Sequence, residues 1–489
     1  MSNQVQIPEL DGTSLARYLW RQLTSMRTAL ILLLLLGVAA IPGSLFPQRT
    51  QNPMQVSDYF KNSPQQAEWL DRFWLFDVYG SPWFSAVYIL LFISLIGCVL
   101  PRTIEHLKNA RALPPATPKN LTRMEHFQEW SASGSELENA REWLKKNRFR
   151  ILETSDSISA EKGFARETGN LFFHLALILV LMGISFSSLF GMRGEAILNI
   201  GERFVNNVTS YDSLTYGKLY SESNLPDFTL TADRFVAKYN VLTGAPEDYT
   251  LDVSLKQGEQ GLIEKKTMKV NSPLTIGDTR IYLQANGYSP VVTVVDSKFN
   301  VAFQGPVPFL PQDSQLRSIG AIKAPDADPA VGFVGSFLPT YARDGEEGGI
   351  SVYPEALDPR LLLAAWVGDL GLDSGTPQSV YRIDTSKMQQ VGLKALKPGE
   401  SFAYVGGVIT FEGYVQWVNI SFVTDPGKKF ALLGAIVAII GLLASLFTRR
   451  RRIWIRVGQK VEVAGLAKNA VPGLEQELSQ FIQKVKGDK

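Results

Sequence analysis

The chain has 489 residues, 45 % of them apolar, and its 49 Lys and Arg against 47 Asp and Glu leave a formal net charge of +2. So even a balance, with no basic stripe interleaved with aromatics, offers nucleic acid no electrostatic footprint. A single cysteine, Cys98, excludes an internal disulfide and any two-cysteine redox or zinc site.

Residues 1–27 form an N-terminal segment containing Arg17, Arg21 and Arg27. The first apolar run, residues 28–46, is long enough to cross a bilayer, which takes about 20 apolar residues as a helix. It is longer than a signal-peptide core, follows 27 other residues and lacks a small-x-small cleavage site, so it reads as a retained anchor. Residues 47–82 make a loop and residues 83–100 (WFSAVYILLFISLIGCVL) the second span. Cys98 lies in that run, where a thiol ordinarily packs as a small apolar side chain.

Residues 101–169 are polar again. His106 and His126 flank a stiff, Pro-rich connector, RALPPATPKN, and both are expected on a solvated surface. Ser135 and Glu138 have the S-x-x-E spacing of a capping box, opening a helix whose Leu137, Ala140, Trp143 and Leu144 share a face. Residues 149–153 and 158–161 then read as a hairpin. The third span, residues 170–190, carries His174 near its start.

Residues 191–429 are rich in β-branched and aromatic residues separated by Gly, Pro, Asn and Asp turns, which predicts a sandwich or curved sheet of one or two lobes. Only ALDPRLLLAAWVGDLG, residues 356–371, looks helical. The region has no His and no Cys, so zinc, cysteine or Ser-His chemistry is unavailable within it. Its acidic cluster from Arg343 to Gly349 reads as a solvated loop, with a paired-carboxylate hydrolase site as the alternative. The fourth span is residues 430–447. In the tail, residues 448–489, strand-like IWIRV and KVEVAGL precede a helix with Pro472 near its start, Leu474, Leu478, Phe481, Ile482 and Val485 on one face, and Gly487 at its end. Too short to bury a core alone, the tail is expected to pack with residues 125–165.

Lys and Arg near the span ends set the direction. Arg17, Arg21 and Arg27 precede the first span, Arg102, Lys108 and Arg111 follow the second, Lys162 and Arg166 precede the third, and Arg449 to Arg452 with Arg456 follow the fourth. All four clusters fall on one side and outweigh Lys428 and Lys429, so both termini are expected in the cytoplasm. The fold expected is an α-helical membrane protein with four transmembrane helices, a large extracytoplasmic mainly-β domain and a small cytoplasmic α+β domain.

With that direction His174 sits roughly 6 Å into the cytoplasmic leaflet, at 1.5 Å rise per residue. A polar side chain there costs roughly 2 kcal/mol or more unless something compensates. It can be packing glue between helices, a quinone or ion site, or a metal or haem ligand; a proton relay needs further ionisable groups in the spans, and there are none. Haem suits an apolar slot with one neutral imidazole on the iron and cations at the mouth for the propionates, and Arg166 and Arg102 lie on the correct side. One intramembrane histidine makes no two-imidazole site, so a second imidazole would come from another chain. Without C-x-x-C-H the chain carries no covalent c-type haem.

Several stretches, spread from the first span to the last, resemble the ResB (CcsB-like) family of the System II cytochrome c biogenesis machinery. They are GSLFPQ (43–48), FDVYGSPWF (76–84), SLIGCVLPR (94–102), AEKGFARETGNLFFHLALILVLMG (160–183), NSPLTIGDTRIYLQANGYSP (271–290) and VTDPGKKF (423–430). The resemblance implies a multi-pass protein of a bacterial plasma membrane. It would be an accessory, non-catalytic subunit that, with a CcsA (ResC)-type membrane partner, delivers haem b, held non-covalently, for attachment to the CXXCH thiols of apocytochrome c outside. Thiol-reducing proteins are further implied partners. The intramembrane histidine of the third span is a haem ligand in such complexes, a role that falls on His174. The tryptophan-rich haem-handling motif belongs to the partner, and no WWD occurs here. Where many members have a histidine ahead of Gly-Tyr-x-Pro this chain has Asn286, which argues against haem ligation by the β domain. Asp425 is expected to cap the last helix. A membrane-anchored sensor or scaffold is the alternative. In the ResB-like reading the β domain is expected either to receive polypeptide, with residues 287–290 and 408–418 as places for an extended chain to add, or to brace the partner's outer loops; in the sensor reading it binds an external ligand.

Overall fold

Inside a bilayer no water satisfies the backbone, so a spanning segment closes its own hydrogen bonds as a helix. The computed structural model describes residues 12–49, 51–124, 126–344, 348–372, 380–467 and 474–487. Its helices are α1 (Gly12–Leu23), α2 (Met26–Leu45), α3 (Pro53–Asn62), α4 (Pro64–Arg72), α5 (Pro82–Arg111), α6 (Glu136–Lys146), α7 (Ala165–Phe190), α8 (Lys428–Phe447) and α9 (Leu474–Lys486). Among the described residues, α2, α5, α7 and α8 are the four long and apolar enough to cross a membrane. The chain divides into two units, Met1–Ser185 with Gly427–Lys489, and Phe186–Pro426.

In the first unit, α5 continues well past Leu100. Its 30 residues rise about 45 Å against a hydrocarbon core of about 30 Å. Pro101 removes one backbone donor without ending the helix, and His106 therefore stands on a helix face rather than beside a loop. The segment between α2 and α5 is ordered rather than a plain loop. Val56 of α3, Ala67 of α4 and Phe76 bury together. Buried Gln48 donates to the carbonyls of Phe46 and Leu75 at 3.0 Å each and accepts from Val78 N–H at 3.0 Å, while Ser81 Oγ caps α5 by accepting from Phe84 N–H.

Helices α7 and α8 meet through small residues. Gly169, Ala176 and Gly183, seven apart on α7, face Gly434, Ala438 and Gly441 on α8, and all six are buried. A Cβ on Gly441 would lie 2.7 Å from the Gly169 carbonyl oxygen, the close approach that small-residue interfaces permit in membranes. Tyr88 on α5 donates to the Leu181 carbonyl of α7 at 2.8 Å.

The polar segments on either side of α7 and α8 build one antiparallel sheet. Its strand order is His126–Ser131, Lys460–Ala467, Arg451–Val457, Ser157–Lys162, Arg150–Glu153. The apolar faces of α6 and α9 cover it, burying Leu144, Ile158, Ile453, Ile455, Val463, Phe481 and Ile482. The capping expectation needs correction. Ser135 holds the N-cap position without a side-chain bond, and Glu136 instead accepts from Ser133 N–H and, at 2.8 Å, from Gly134 N–H. Its two oxygens reach the free amides just ahead of α6, as the Ser135 hydroxyl does not. Pro472 lies outside the described residues.

The second unit is built on two 18-residue strands, Thr279–Asp296 and Gly407–Thr424, paired antiparallel from Thr279 opposite Thr424 to Asp296 opposite Gly407. At about 3.3 Å per residue this ribbon is about 60 Å long, enough to serve two cores. One core joins Ile281, Val418, Ile420 and Phe422 to the four-stranded sheet that includes Phe228–Tyr239 and Pro246–Gln257. The other joins Val292, Val294, Ile409 and Phe411 to the five-stranded sheet Leu310–Pro311, Ser318–Ala324, Val331–Leu338, Arg360–Gly368, Met388–Leu396.

ALDPRLLLAAWVGDLG is not helical: Arg360–Gly368 is a strand between two others. Leu361, Leu363 and Ala365 are fully buried at every second position, so packing into the sheet overrides the helix preference of Leu and Ala. Residues 287–290 are buried in the paired central ribbon, whereas 408–418 pairs with Thr279–Asp296 on one side and, on the other, with further strands only at 408–410 and 417–418 among the described residues. Gly287 is required there because a Cβ would meet the Trp417 ring at 2.5 Å, and Asn286 donates to the Tyr239 hydroxyl at 3.3 Å. Of the acidic cluster, Gly345–Glu347 lie outside the described residues, and their flanks, Tyr341–Asp344 and Gly348–Ser351, pair as a hairpin. The N-cap of α8 is Gly427 rather than Asp425, whose carboxylate accepts from the Ser187 hydroxyl.

Candidate functional site

Residues four apart on a helix share a face. On α5 this aligns Cys98, Arg102 and His106, and on α7 it aligns Arg166, Asn170 and His174. The two faces, with Val99, Glu167, Leu171, Met26 at the start of α2, Ser445 near the end of α8, and Arg450, line a cavity of about 410 Å³. It falls within the range of ordinary small-molecule sites. Cys98 is part of its wall, its thiol donating to the Leu95 carbonyl at 3.3 Å.

His174 Nδ1 lies 2.7 Å from the Asn170 carbonyl oxygen. A carbonyl only accepts, so Nδ1 holds the proton and Nε2 keeps its lone pair, the arrangement in which a neutral imidazole ligates a metal. The ring packs edge-on to Phe173, centroids 5.3 Å apart.

His106, expected on a solvated surface, is half-buried in this wall. Its ring stacks on Phe164 with centroids 4.8 Å apart, and its Nε2 lies 3.0 Å from Thr168 Oγ1. No spacing marked it, because the signal is a meeting of α5 with the start of α7.

The charges divide into two groups. Arg450 is bonded to buried Glu161 and, at 2.6 Å, to Glu167, and Arg452 reaches Glu161 at 3.4 Å. Burial disfavours the Arg450 guanidinium, but the hydrogen bonds to Glu161 and Glu167 outweigh it and hold its pKa above the ordinary value. Two cations are thus matched by two carboxylates. Arg102, exposed, and Arg166, half-buried, have no ion-pair partner among the described residues. The cavity therefore presents the open nitrogen of His174, the His106 ring, an apolar wall and two guanidinium groups without an ion-pair partner among the described residues. No cluster of three or more His, Cys, Asp or Glu suited to a bare metal ion occurs among the described residues.

His126 is elsewhere, at the start of the outermost strand of the small sheet, 3.8 Å from Glu475. The structure thus brings His174, Arg166 and Arg102 together and adds His106.

The ResB-like family matches residues 26–479. The chain belongs to that family. Among curated relatives, the chain is similar to the cytochrome c biogenesis protein CcsB of Picosynechococcus, 24 % identical with 97 % of this chain and 94 % of the relative covered. The CcsB proteins of Microcystis aeruginosa and Gloeobacter violaceus are 23 % and 25 % identical, covering 95 % of this chain and 94 % and 90 % of theirs. Several stretches that carry the family resemblance have structural duties: Gln48 and Ser81 order the segment between α2 and α5, Gly183 lets α8 approach α7, and Gly287 makes room for Trp417.

Proposed function

We propose that this protein is an accessory subunit of a cytochrome c biogenesis complex and that its cavity holds haem b on the way across the membrane. The observation that carries this reading is His174 with Nε2 open, lining one cavity with two arginines that have no carboxylate partner among the described residues. A porphyrin supplies four of the iron's ligands itself, so the protein needs to add only axial donors, which fits a site with imidazole and, among the described residues, no three-residue metal cluster. Two propionates match Arg102 and Arg166, and Val99, Leu171 and Met26 face the macrocycle.

In this reading both termini and the small α+β domain are cytoplasmic, following the Lys and Arg bias, and haem is met on the inner side. The β domain lies outside, where it assists a CcsA-type partner in presenting the CXXCH thiols of apocytochrome c, kept reduced by thiol-reducing proteins. Haem is the cargo. The residues of this chain orient it and neutralise its charge, and bond formation to cysteine belongs to the partner.

The test is an absorbance spectrum of the protein purified in detergent with whatever partner accompanies it, for wild type and His174→Ala. Wild type is expected to hold b-type haem, and the variant to lose most of it while inserting normally, with recovery on adding imidazole. Equal haem in the two proteins would remove His174 from the site.

A further inference from the structure

The second imidazole in the cavity has no role in that reading. The Thr168 hydroxyl that His106 contacts is also 3.3 Å from the Phe164 carbonyl, to which it donates. Its proton is thereby committed, so it accepts from His106, which places the His106 proton on Nε2. Nδ1 then keeps its lone pair and has no hydrogen-bond partner among the described residues. Both histidines lining the cavity are therefore held in the tautomer that leaves one nitrogen open to an electrophile. Each is oriented by a bond from its other nitrogen.

They differ in depth. His106 is tied to α7 at Thr168, in the first turn, beside the charged cluster of Glu167 and Arg450, with Arg150 and Arg450 guanidinium groups each 5.4 Å from the centre of the Phe164 ring on which it stacks. His174 lies six residues further along α7, about 9 Å at 1.5 Å per residue, where the helix has become apolar. Arg102 stands one turn from His106 on α5, and Arg166 two turns from His174 on α7.

We propose that His106 is a second iron ligand, the one that first takes haem at the polar end of the cavity before the iron passes to His174. This rests on the reading of the cavity as a haem site. The ligand exchange is balanced: one neutral imidazole lone pair replaces another on the same iron, with no change in its oxidation state and no proton released.

The experiment uses the full-length protein in detergent, freed of haem, with hemin added and followed by stopped-flow absorbance and by haem content after gel filtration. Four proteins are compared: wild type, His106→Gln, His174→Ala and the double variant. Gln at 106 can still donate to Thr168 and so tests ligation apart from packing. His106→Gln is expected to reach the wild-type haem content at least fivefold more slowly. His174→Ala is expected to keep a fraction of the haem, with a spectrum distinct from wild type, and the double variant to fall at least tenfold below that fraction. If His106→Gln loads at the wild-type rate, or the double variant matches His174→Ala in content and spectrum, His106 only packs and the proposal is wrong. Failure of wild type to take up hemin would sink the haem reading itself, and is thus separable from failure of His106 alone.

Discussion

Arg166→Gln and Arg102→Gln probe the charge logic of the cavity most directly. Two unit charges 4 Å apart are worth about 4 kcal/mol at an effective dielectric of 20 and about 1 kcal/mol in water. Arg166 is half-buried, so its contact with a carboxylate falls between these, and desolvation on binding takes part of it back. A charge-assisted hydrogen bond of about 1.5–3 kcal/mol is the net figure, or roughly tenfold to a hundredfold in affinity. Arg102 is exposed and its pair is worth about 0.2–1 kcal/mol, at most about fivefold and sensitive to salt. The assay is a hemin titration followed at the Soret band in low and high salt. The expected order of affinity is wild type, Arg102→Gln, Arg166→Gln, then the double variant, with the effect of Arg102→Gln vanishing in high salt. Arg450→Gln is the contrast: it removes a partner of Glu161, which is only 5 % exposed, and should unfold the small domain more readily rather than weaken haem selectively. A double variant that binds hemin as tightly as wild type in low salt would refute the assignment of these two arginines to the anionic groups.

Three other outcomes are expected. Gly441→Val should drive α7 and α8 apart, since even the Cβ meets the Gly169 carbonyl at 2.7 Å, and is checked by protein yield and thermal stability in detergent against Gly12→Val, where nothing lies within 4 Å. Partial desolvation raises the Asp212 carboxyl, although the residue is exposed at the surface, against the bond it accepts from Ile197 N–H, with Glu202 and Glu195 adding repulsion, so solvent screening keeps the effect small. That contribution is fully present below the unfolded carboxyl pKa of about 4 and is lost as pH rises through the folded value. Asp212→Asn should therefore raise Tm more at pH 8 than at pH 4, and an equal gain at both would contradict the sign. If the β domain receives an extended chain, a terminal strand such as Met388–Leu396, paired on one side only among the described residues and with Leu393 70 % exposed, is where it adds. Photo-crosslinkers at Gln390 should capture an unhaemylated CXXCH peptide and those at buried Ser289 should not; capture at Ser289 alone would exclude strand addition.

Properties that depend on one element at a time were legible in the residues alone. Apolar length set the four spans, β-branched runs set the strand-rich region, and the 3.6-residue period set the buried faces of α6 and α9. His174 stood out because a bilayer penalises any polar side chain within an apolar run, whatever surrounds it. The tertiary structure decided everything that depends on which elements meet. His106 gave no signal in its own neighbourhood, and only the approach of α7 to α5 put it beside His174. Arg102, Arg166 and Arg450 looked alike in sequence, yet Glu161 and Glu167 neutralise Arg450 while Arg102 and Arg166 have no ion-pair partner among the described residues, because an ion pair is a property of two side chains and their burial. ALDPRLLLAAWVGDLG became a strand for the same reason: helix preference amounts to a few tenths of a kcal/mol per residue, and burying Leu361 and Leu363 between two neighbouring strands is worth about 1.5–3 kcal/mol each.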